Sequence, residues 1–293
     1  MESPFWHYQS TFDGISLVRQ FEDAERTGRA GHWTSYFGVA VDTNFFPEIL
    51  GPIAGQVEGD TLPANWHADL AEFAAALRAV SLAGESFTVV ELGCGWGCWL
   101  NLTGVAARRS GKRVRLIGVE GDSNHLGFAR EATTTNGFGD GDVNLIHGIA
   151  AHKGGWALFP NQQGSNSWGL SPIFTDDLIE RDRALDSGAY QVLPMISLES
   201  LNLENSIDLL HIDIQGGEAD LIDNSISFLN NKVAFMVIGT HSREIEGRLI
   251  KTLTAAGWRL EVERALINHL HLAEPLVSVD GVQGWRNMKL LPA

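Results

Sequence analysis

Cysteine and basic residues are both scarce in this chain of 293 amino acids. Its two cysteines, Cys94 and Cys98, lie close together, so the sequence predicts no disulfide framework and a reducing compartment. Lys and Arg number 21 against 36 Asp and Glu, which gives a formal net charge of −15. Because proteins bind nucleic acids through cations that neutralise phosphates, DNA and RNA are disfavoured as partners.

Long apolar runs are also missing. No stretch approaches the length of a membrane-spanning helix. The start of the chain carries several acids and no apolar segment of the kind that signal peptides contain. We therefore expect a cytoplasmic protein without a membrane partner.

Strands that alternate with helices dominate the sequence after an irregular, aromatic-rich extension over 1–62, in which one helix is predicted near 13–27. The pattern then predicts helix 63–79, strand 87–92, helix 97–109, strand 114–120, helix 123–136, strand 143–147, a short strand near 156–159, a polar loop over 160–190, strand 207–214, helix 217–229, strand 233–239, helix 242–256 and a β region over 258–290. This alternation is typical of an α/β protein whose mostly parallel sheet has helices on both faces. We expect one main domain over 63–293, with the extension capping its site or forming a homodimer contact.

The most informative motif is a glycine-rich turn between two predicted parallel strands. The first strand contains Glu91 and is followed by Gly93, Gly95 and Gly97, and the second strand ends at Glu120. Glycines permit positive φ angles and a close approach of the backbone to a ligand. The helix after the turn presents unpaired N–H groups, and Glu120 is placed to accept hydrogen bonds from two ribose hydroxyls. The turn therefore predicts a nucleoside-binding pocket.

The spacing of these glycines separates two classes of ligand. A dinucleotide fingerprint, G-x-G-x-x-G, would need a glycine where this chain has Cys98. The spacing present, with an acid two residues before the first glycine, resembles motif I of class I S-adenosylmethionine-dependent methyltransferases. This resemblance implies that Glu91 lies near the charged end of the cofactor. An NAD-binding protein is the less favoured alternative.

A second motif coincides with the strand predicted over 207–214. Period-2 alternation puts His211 and Asp213 on one face, and Asp213 falls near the edge where open α/β sheets bind ligands. We interpret His211 as a core histidine with satisfied hydrogen bonds and Glu218 as a surface acid that complements a helix dipole. His241 follows the neighbouring predicted strand, and its side-chain type suits a general base near neutral pH.

Together the two motifs resemble the FkbM-type methyltransferases over about residues 86–262. That family couples a strand ending E/D-x-G-x-G-x-G, an acid after the second strand and a later run D-L-L-K-I-D-x-E-G-x-E. The later run here is 208–218, with His211 in place of the usual lysine and Gln215 in place of the usual glutamate. The resemblance implies a Rossmann-like class I methyltransferase fold with a seven-stranded sheet. It also implies S-adenosylmethionine as cofactor and O-methylation of a hydroxyl on a sugar or natural product.

The candidate site residues follow from these motifs. Those for cofactor binding are Glu91, Gly93, Gly95, Gly97, Glu120, Gly121, Ile149 and Asp213. His241 is the first candidate for the catalytic base, and Asp213 is its rival. Trp66, His67 and Trp168 are candidates for covering the small-molecule acceptor.

Two further functions fit the same residues. In a metal-assisted O-methyltransferase, Asp213 and His241 would bind a divalent ion that acidifies the acceptor hydroxyl, although the sequence does not identify the other ligands. In a non-catalytic partner protein, cofactor binding would be retained for assembly, and the substitutions at His211 and Gln215 would permit this.

Overall fold

A computed structural model describes residues 3–161, 168–271 and 274–292. Its helices are α1 (Gly14–Gln20), α2 (Pro47–Leu50), α3 (Leu70–Leu82), α4 (Cys98–Arg109), α5 (Ser123–Thr135), α6 (Leu178–Asp186), α7 (Glu218–Lys232) and α8 (Arg243–Ala255). Its strands are β1 (Gln9–Ser10), β2 (His32–Thr34), β3 (Ala40–Asp42), β4 (Ser86–Leu92), β5 (Arg113–Glu120), β6 (Val143–His147), β7 (Ile149–Ala150), β8 (Gly155–Pro160), β9 (Tyr190–Ile196), β10 (Ile207–Ile212), β11 (Val233–Thr240), β12 (Trp258–Arg264), β13 (Ile267–His269), β14 (Leu276–Val279) and β15 (Gly281–Asn287).

The centre of the fold is a sheet in the order β1-β12-β15-β11-β10-β4-β5-β6. Neighbouring strands from β6 to β11 pair in parallel, whereas β15 is antiparallel to both β11 and β12. Seven of these strands form the mostly parallel, Rossmann-like sheet that the sequence predicts, so the predicted fold class is confirmed. The short β1 of the N-terminal extension adds an eighth strand at one edge.

Helices cover both faces of this sheet because its strand residues point alternately to opposite sides. In β10, Leu209 packs into the core on the side of α3 and α4. Leu210 and Ile212 pack into the core on the side of α7 and α8. The chain order reverses between β4 and β10, and such a reversal places a crevice at the carboxyl ends of the two strands.

The N-terminal extension shares a core with the main domain. Trp33, Tyr36, Phe37 and Phe45 are buried in the same cluster as Phe73 of α3. The described part of 1–62 is therefore packed on the sheet domain and has no separate core. The boundary at 62/63 and the homodimer contact stay predictions.

Two predicted helices are shorter in the structure, because polar side chains hold the backbone in other conformations. The helix predicted near 13–27 ends at Gln20, since the following chain is fixed by Arg26, which donates to the carbonyls of Asp23 and Glu58 at 2.7 and 3.1 Å. The helix predicted over 63–79 begins at Leu70. Before it, the Asn65 side chain accepts bonds from two backbone N–H groups and forms a turn.

Asp69 then provides the real start of α3. Its side chain accepts from the N–H groups of Ala71 and Glu72, while the Glu72 carboxylate accepts from the Asp69 N–H. This reciprocal pair is a capping box, which the spacing D-x-x-E encodes in the sequence.

The prediction of a polar loop over 160–190 is wrong. Residues 162–167 lie outside the described residues, but the rest of this stretch contains α6, and β9 follows it. Strand β9 pairs with β7 and β8 in a three-stranded sheet. Pro194 interrupts the strand signal of β9, and α6 has charged residues at five of its nine positions, so hydrophobic periodicity indicates neither element. Within the described ranges, no helix is both long and apolar enough to cross a membrane.

Candidate active site

The glycine turn lies where the strand order reverses, directly after β4. Gly93, Gly95 and Gly97 have φ angles of 74°, 51° and 77°, a region that side chains disfavour. A Cβ on Gly93 would overlap the carbonyl oxygen of Asp213. The Asp213 N–H in turn donates to the Leu92 carbonyl at 3.0 Å. Gly93 therefore allows the ends of β4 and β10 to lie against each other.

Glu120 holds the same turn from the neighbouring strand. Its Oε2 accepts from the Gly95 N–H at 2.8 Å, and its Oε1 accepts from the Asp122 N–H at 2.7 Å. Burial raises the pKa of the Glu120 carboxyl, although these two donors oppose the shift. The sequence places Glu120 at the strand end, and the structure joins it to the turn.

A cavity of about 700 Å³ lies beside the turn and is lined by Gly93, Gly95, Glu120, Ile149 and Asp213. Its size is in the range of small-molecule sites, about 300–1,000 Å³. Gly121 also lines it, and a Cβ there would come within 2.7 Å of the Ile149 side chain. Most of the predicted cofactor residues are thus gathered around one cavity, and their roles stay predictions.

Glu91 and Gly97 lie elsewhere. Glu91 is 2% exposed and accepts hydrogen bonds from the N–H groups of Trp99 and Leu100, at 3.3 and 2.9 Å, in the first turn of α4. Burial raises the pKa of Glu91 to about 8. Neither residue is among the described residues that line the cavity. Glu91 therefore contacts the helix behind the turn, and contact with the cofactor's charged end stays a prediction.

Asp213, His241 and Glu218 form a chain of hydrogen bonds at the carboxyl ends of β10 and β11. His241 Nε2 lies 3.3 Å from Asp213 Oδ1, and His241 Nδ1 lies 2.9 Å from Glu218 Oε1. The Asp213 side chain is 44% exposed, whereas that of Glu218 is 0% exposed. The interpretation of Glu218 as a surface acid is therefore wrong. Glu218 does lie in the first turn of α7, but its side chain also reaches His241 after the end of β11 and is therefore buried.

His241 is held as a cation by this arrangement. A neutral imidazole has a single N–H, so donation to both carboxylates needs the protonated ring. Burial lowers the pKa of His241, but hydrogen bonds and attraction to Asp213 and Glu218 outweigh burial and raise the pKa to about 10. A ring that is protonated at neutral pH cannot take a proton from a substrate. The base role of His241 stays a prediction, and this geometry argues against it.

Asp213 is the better-placed proton acceptor. Partial burial raises the pKa of its carboxyl, but the hydrogen bond and the charge of His241 outweigh this and hold the pKa below the usual value. Gln215 Nε2 also donates to Asp213 Oδ1, at 3.0 Å. The glutamate usual at position 215 in FkbM-type chains has no N–H to donate. The glutamine at this position thus adds a donor to the Asp213 carboxylate.

The described residues supply only part of the ligand set that a metal-assisted mechanism needs. Asp213, Glu218 and His241 each place one ligand atom within 4.8 Å of the others. Both ring nitrogens of His241 already face carboxylates, and Glu218 accepts the backbone N–H groups of Ile214 and Gly216. Among the described residues, these three groups do not amount to a full metal site.

Trp168 lines the cavity, as a substrate-covering residue should. Its ring stacks on His125 at a centroid distance of 3.7 Å and on Phe46 at 4.7 Å. A Cβ on Gly95 would lie 3.1 Å from the indole, so the glycine lets Trp168 approach the turn. His125, which the sequence analysis did not select, thus helps to hold a cavity wall.

Trp66 and His67 lie against a different part of the turn. Their rings contact the ring of Trp96 at centroid distances of 6.2 and 5.5 Å. Both residues line a small second cavity of about 20 Å³ and not the large one. Phe46 contacts both Trp66 and Trp168 and so connects the two groups of rings. The substrate roles of Trp66 and His67 stay predictions.

His211, where FkbM-type chains usually have lysine, is buried in the core. It is 4% exposed and stacks on Trp99 at a centroid distance of 5.2 Å. Burial lowers the pKa of His211 to about 4, so the ring is neutral at neutral pH. Its Nδ1 has no hydrogen-bond partner in the described part of the chain. The core position is as expected, but the expectation of satisfied hydrogen bonds is wrong.

Many solved structures align with this chain, among them two at low sequence identity. Precorrin-6y C5,15-methyltransferase from Geobacter metallireducens GS-15 is 12% identical, with a TM-score of 0.40 over 72% of this chain and 86% of that one. The C-terminal domain of precorrin-6Y C5,15-methyltransferase from Rhodobacter capsulatus is 13% identical, with a TM-score of 0.42 over 76% and 90%.

Sequence matches are stronger. A protein of Jannaschia sp. (strain CCS1) named "Putative methyltransferase" is 40% identical over 271 residues, which cover 92% of this chain and 97% of that protein. The family described as "Methyltransferase FkbM domain" matches residues 83–260, a region that contains the glycine turn, Glu120, Asp213 and His241. This chain therefore belongs to the FkbM methyltransferase family.

Proposed function

We propose that this protein transfers a methyl group from S-adenosylmethionine to a hydroxyl of a small molecule, either a sugar or a natural product. The observation that carries the proposal is the cavity of about 700 Å³ that joins the glycine turn and Glu120 to Asp213. Membership of the FkbM family supports the methyl transfer itself.

The cavity residues suit this cofactor. Gly93 and Gly95 lack a Cβ, so the backbone of the turn can approach a ligand closely. Each Glu120 oxygen accepts one N–H bond, and because a carboxylate has about four acceptor sites, lone pairs remain for ribose hydroxyls. Ile149 offers an apolar wall to the adenine ring. When bound, the cofactor supplies a methyl group on a positively charged sulfur, which keeps the electron pair of the broken bond.

Asp213 accepts the proton of the acceptor hydroxyl. Its Oδ1 is taken by His241 and Gln215, whereas its Oδ2 has no hydrogen bond to any described residue. As the new carbon–oxygen bond forms, the hydroxyl proton passes to Oδ2. The proton then leaves to solvent, because the Asp213 side chain is 44% exposed.

Positioning of the acceptor contributes more than proton removal. Alignment of two reactants supplies about 7–11 kcal/mol of a barrier, whereas a general base gives about 10²–10⁴-fold, or roughly 3–5 kcal/mol. Asp213 acts in both ways, because a hydrogen bond to Oδ2 aligns the hydroxyl before its proton moves. A carboxylate of lowered pKa is sufficient, since the sulfonium is already a good leaving group.

Calorimetry followed by an acceptor screen tests the proposal. We expect S-adenosylmethionine and S-adenosylhomocysteine to bind with Kd between about 1 μM and 1 mM, the usual range for enzyme substrates. A panel of hydroxylated sugars and natural products should contain an acceptor whose mass rises by one methylene unit on an oxygen. Failure of both cofactor forms to bind contradicts the proposal. Binding without product from any acceptor favours the non-catalytic partner protein.

Two variants then separate catalysis from binding. Asp213→Asn should lower kcat about 10²–10⁴-fold and leave the affinity for S-adenosylhomocysteine within about threefold. The control is Asp223→Asn, which removes an acid of α7 that pairs with Arg248 at 2.7 Å. This control should keep the wild-type kcat. An unchanged kcat in Asp213→Asn sinks the role of Asp213.

A further inference from the structure

Glu218 is the most completely buried acid near the cavity, and its bonds are specific. Its side chain is 0% exposed. Glu218 Oε1 accepts the N–H groups of Ile214 and Gly216, at 3.2 and 3.1 Å, and Oε2 accepts the Gly216 N–H at 3.1 Å. Residues 215 and 216 have φ angles of 60° and 111°, so this turn brings two N–H groups to one carboxylate. Glu218 thus fixes the backbone immediately after Asp213.

The same carboxylate also fixes the side chain of His241. Glu218 Oε1 receives His241 Nδ1 at 2.9 Å, which leaves Nε2 directed to Asp213 Oδ1 at 3.3 Å. Two carboxylates and one imidazolium together carry a net charge of minus one. Of the two carboxylates, only that of Asp213 is exposed, so the negative charge faces the cavity there. Asp280, whose carboxyl interacts electrostatically with His241 and Asp213, adds to the field that keeps the ring protonated.

We infer that Glu218 is a positioning residue that acts through His241 to hold the Asp213 carboxylate in the orientation that leaves Oδ2 open to the acceptor. This inference rests on the proposed function of Asp213. It assigns to Glu218 and His241 a common task, in which neither takes part in proton transfer. Glu218 sets the position of the ring, and the ring sets the orientation of Asp213.

Nuclear magnetic resonance of protein labelled with ¹⁵N-histidine tests the effect of Glu218 on His241 without any methyl transfer. The signals of His241 are assigned from their loss in His241→Asn. We expect both ring nitrogens of wild-type His241 to carry a proton at neutral pH. Glu218→Gln keeps the side-chain shape but removes the charge, so the ring should bind its proton at least about tenfold less tightly, one pKa unit. The control Asp223→Asn should leave the His241 signals unchanged.

Either of two spectra overturns the inference: a neutral wild-type His241 ring at neutral pH, or a Glu218→Gln ring that titrates like the wild type. The wild-type spectrum decides the first point even if Glu218→Gln does not fold. A failed acceptor screen, by contrast, defeats the proposed function and leaves these spectra as they are.

Kinetics with the acceptor found in the screen test whether Glu218 acts through His241 on Asp213. Glu218→Gln should lower kcat about 10–100-fold, as expected for a small misplacement of a reacting group, and leave the acceptor KM within about threefold. If Glu218 acts only through His241, the double variant Glu218→Gln/His241→Asn should be no slower than His241→Asn alone, within about threefold. Losses that multiply in the double variant, or a change in KM alone, contradict a positioning role.

Discussion

Gly93→Ala is the perturbation that tests most directly how the two strand ends meet. Gly93 has a φ of 74°, and the added Cβ would overlap the carbonyl oxygen of Asp213, which belongs to the backbone and cannot rotate away. The left-handed conformation costs a residue with a side chain about 1–2 kcal/mol. Forcing a methyl group into a packed site costs about 1–3 kcal/mol more. The free energy of unfolding should therefore fall by about 2–5 kcal/mol.

Gly111→Ala provides the matched control. Gly111 has a φ of 78°, almost the same as Gly93, but no atom lies within 4 Å of the position of its Cβ. This variant should lose only the conformational part, about 1–2 kcal/mol. The difference between the two variants therefore measures the contact between the turn and Asp213.

Urea denaturation followed by circular dichroism gives both free energies of unfolding. Calorimetry with S-adenosylhomocysteine shows whether the site is affected. Gly93→Ala should bind at least about tenfold more weakly, because the turn and Asp213 both line the cavity, whereas Gly111→Ala should bind normally. The reasoning is refuted if the two variants unfold with free energies within about 0.5 kcal/mol of each other.

Three other outcomes follow from the charged groups. The pKa of Glu91 is about 8 in the folded protein against 4.5 for an ordinary glutamate. The contribution of Glu91 to the free energy of unfolding is therefore complete below about pH 4.5 and is lost as the pH rises toward 8. The difference in melting temperature between Glu91→Gln and the wild type should therefore rise between about pH 4.5 and pH 8 in favour of the variant. A difference that stays constant over this interval would contradict the raised pKa of Glu91. Activity should be level from about pH 6 to 9 and fall as His241 loses its proton near a pKa of about 10, whereas a rate that increases through that pKa would restore His241 as the base. Activity should survive a chelator, because the described residues give no full metal site, and rescue of a chelated enzyme by Mg²⁺ would support the metal-assisted mechanism.

The strand pattern and the two motifs were sufficient to predict the sheet, because buried parallel strands and glycine turns depend on local sequence. They also gathered Gly93, Glu120 and Asp213 at one edge, since the carboxyl ends of parallel strands meet there. The state of His241 could not be predicted in this way. Its protonation depends on Glu218, a residue 23 positions away in sequence whose burial results from the packing of α7 on β11.

Elements with weak local signals were also missed. Helix α6 has charged residues at five of its nine positions and buries none of its residues, so its apolar pattern is weak. Strand β9 contains Pro194, a residue type that usually breaks strands, although β9 pairs with β8 from Tyr190 to Met195. The conformation of β9 depends on its pairing with β7 and β8, and α6 lies against β9.

The position of β15 determines how short a working fragment of this protein can be. The family match ends at residue 260, but β15, over Gly281–Asn287, inserts between β11 and β12. A fragment trimmed to the matched region would leave β11 with an open edge, and exposed strand edges promote aggregation. Fragments for crystallisation or labelling should therefore retain the chain through Asn287. The order of strands in the sheet, and not the extent of family likeness, sets the minimal folding unit.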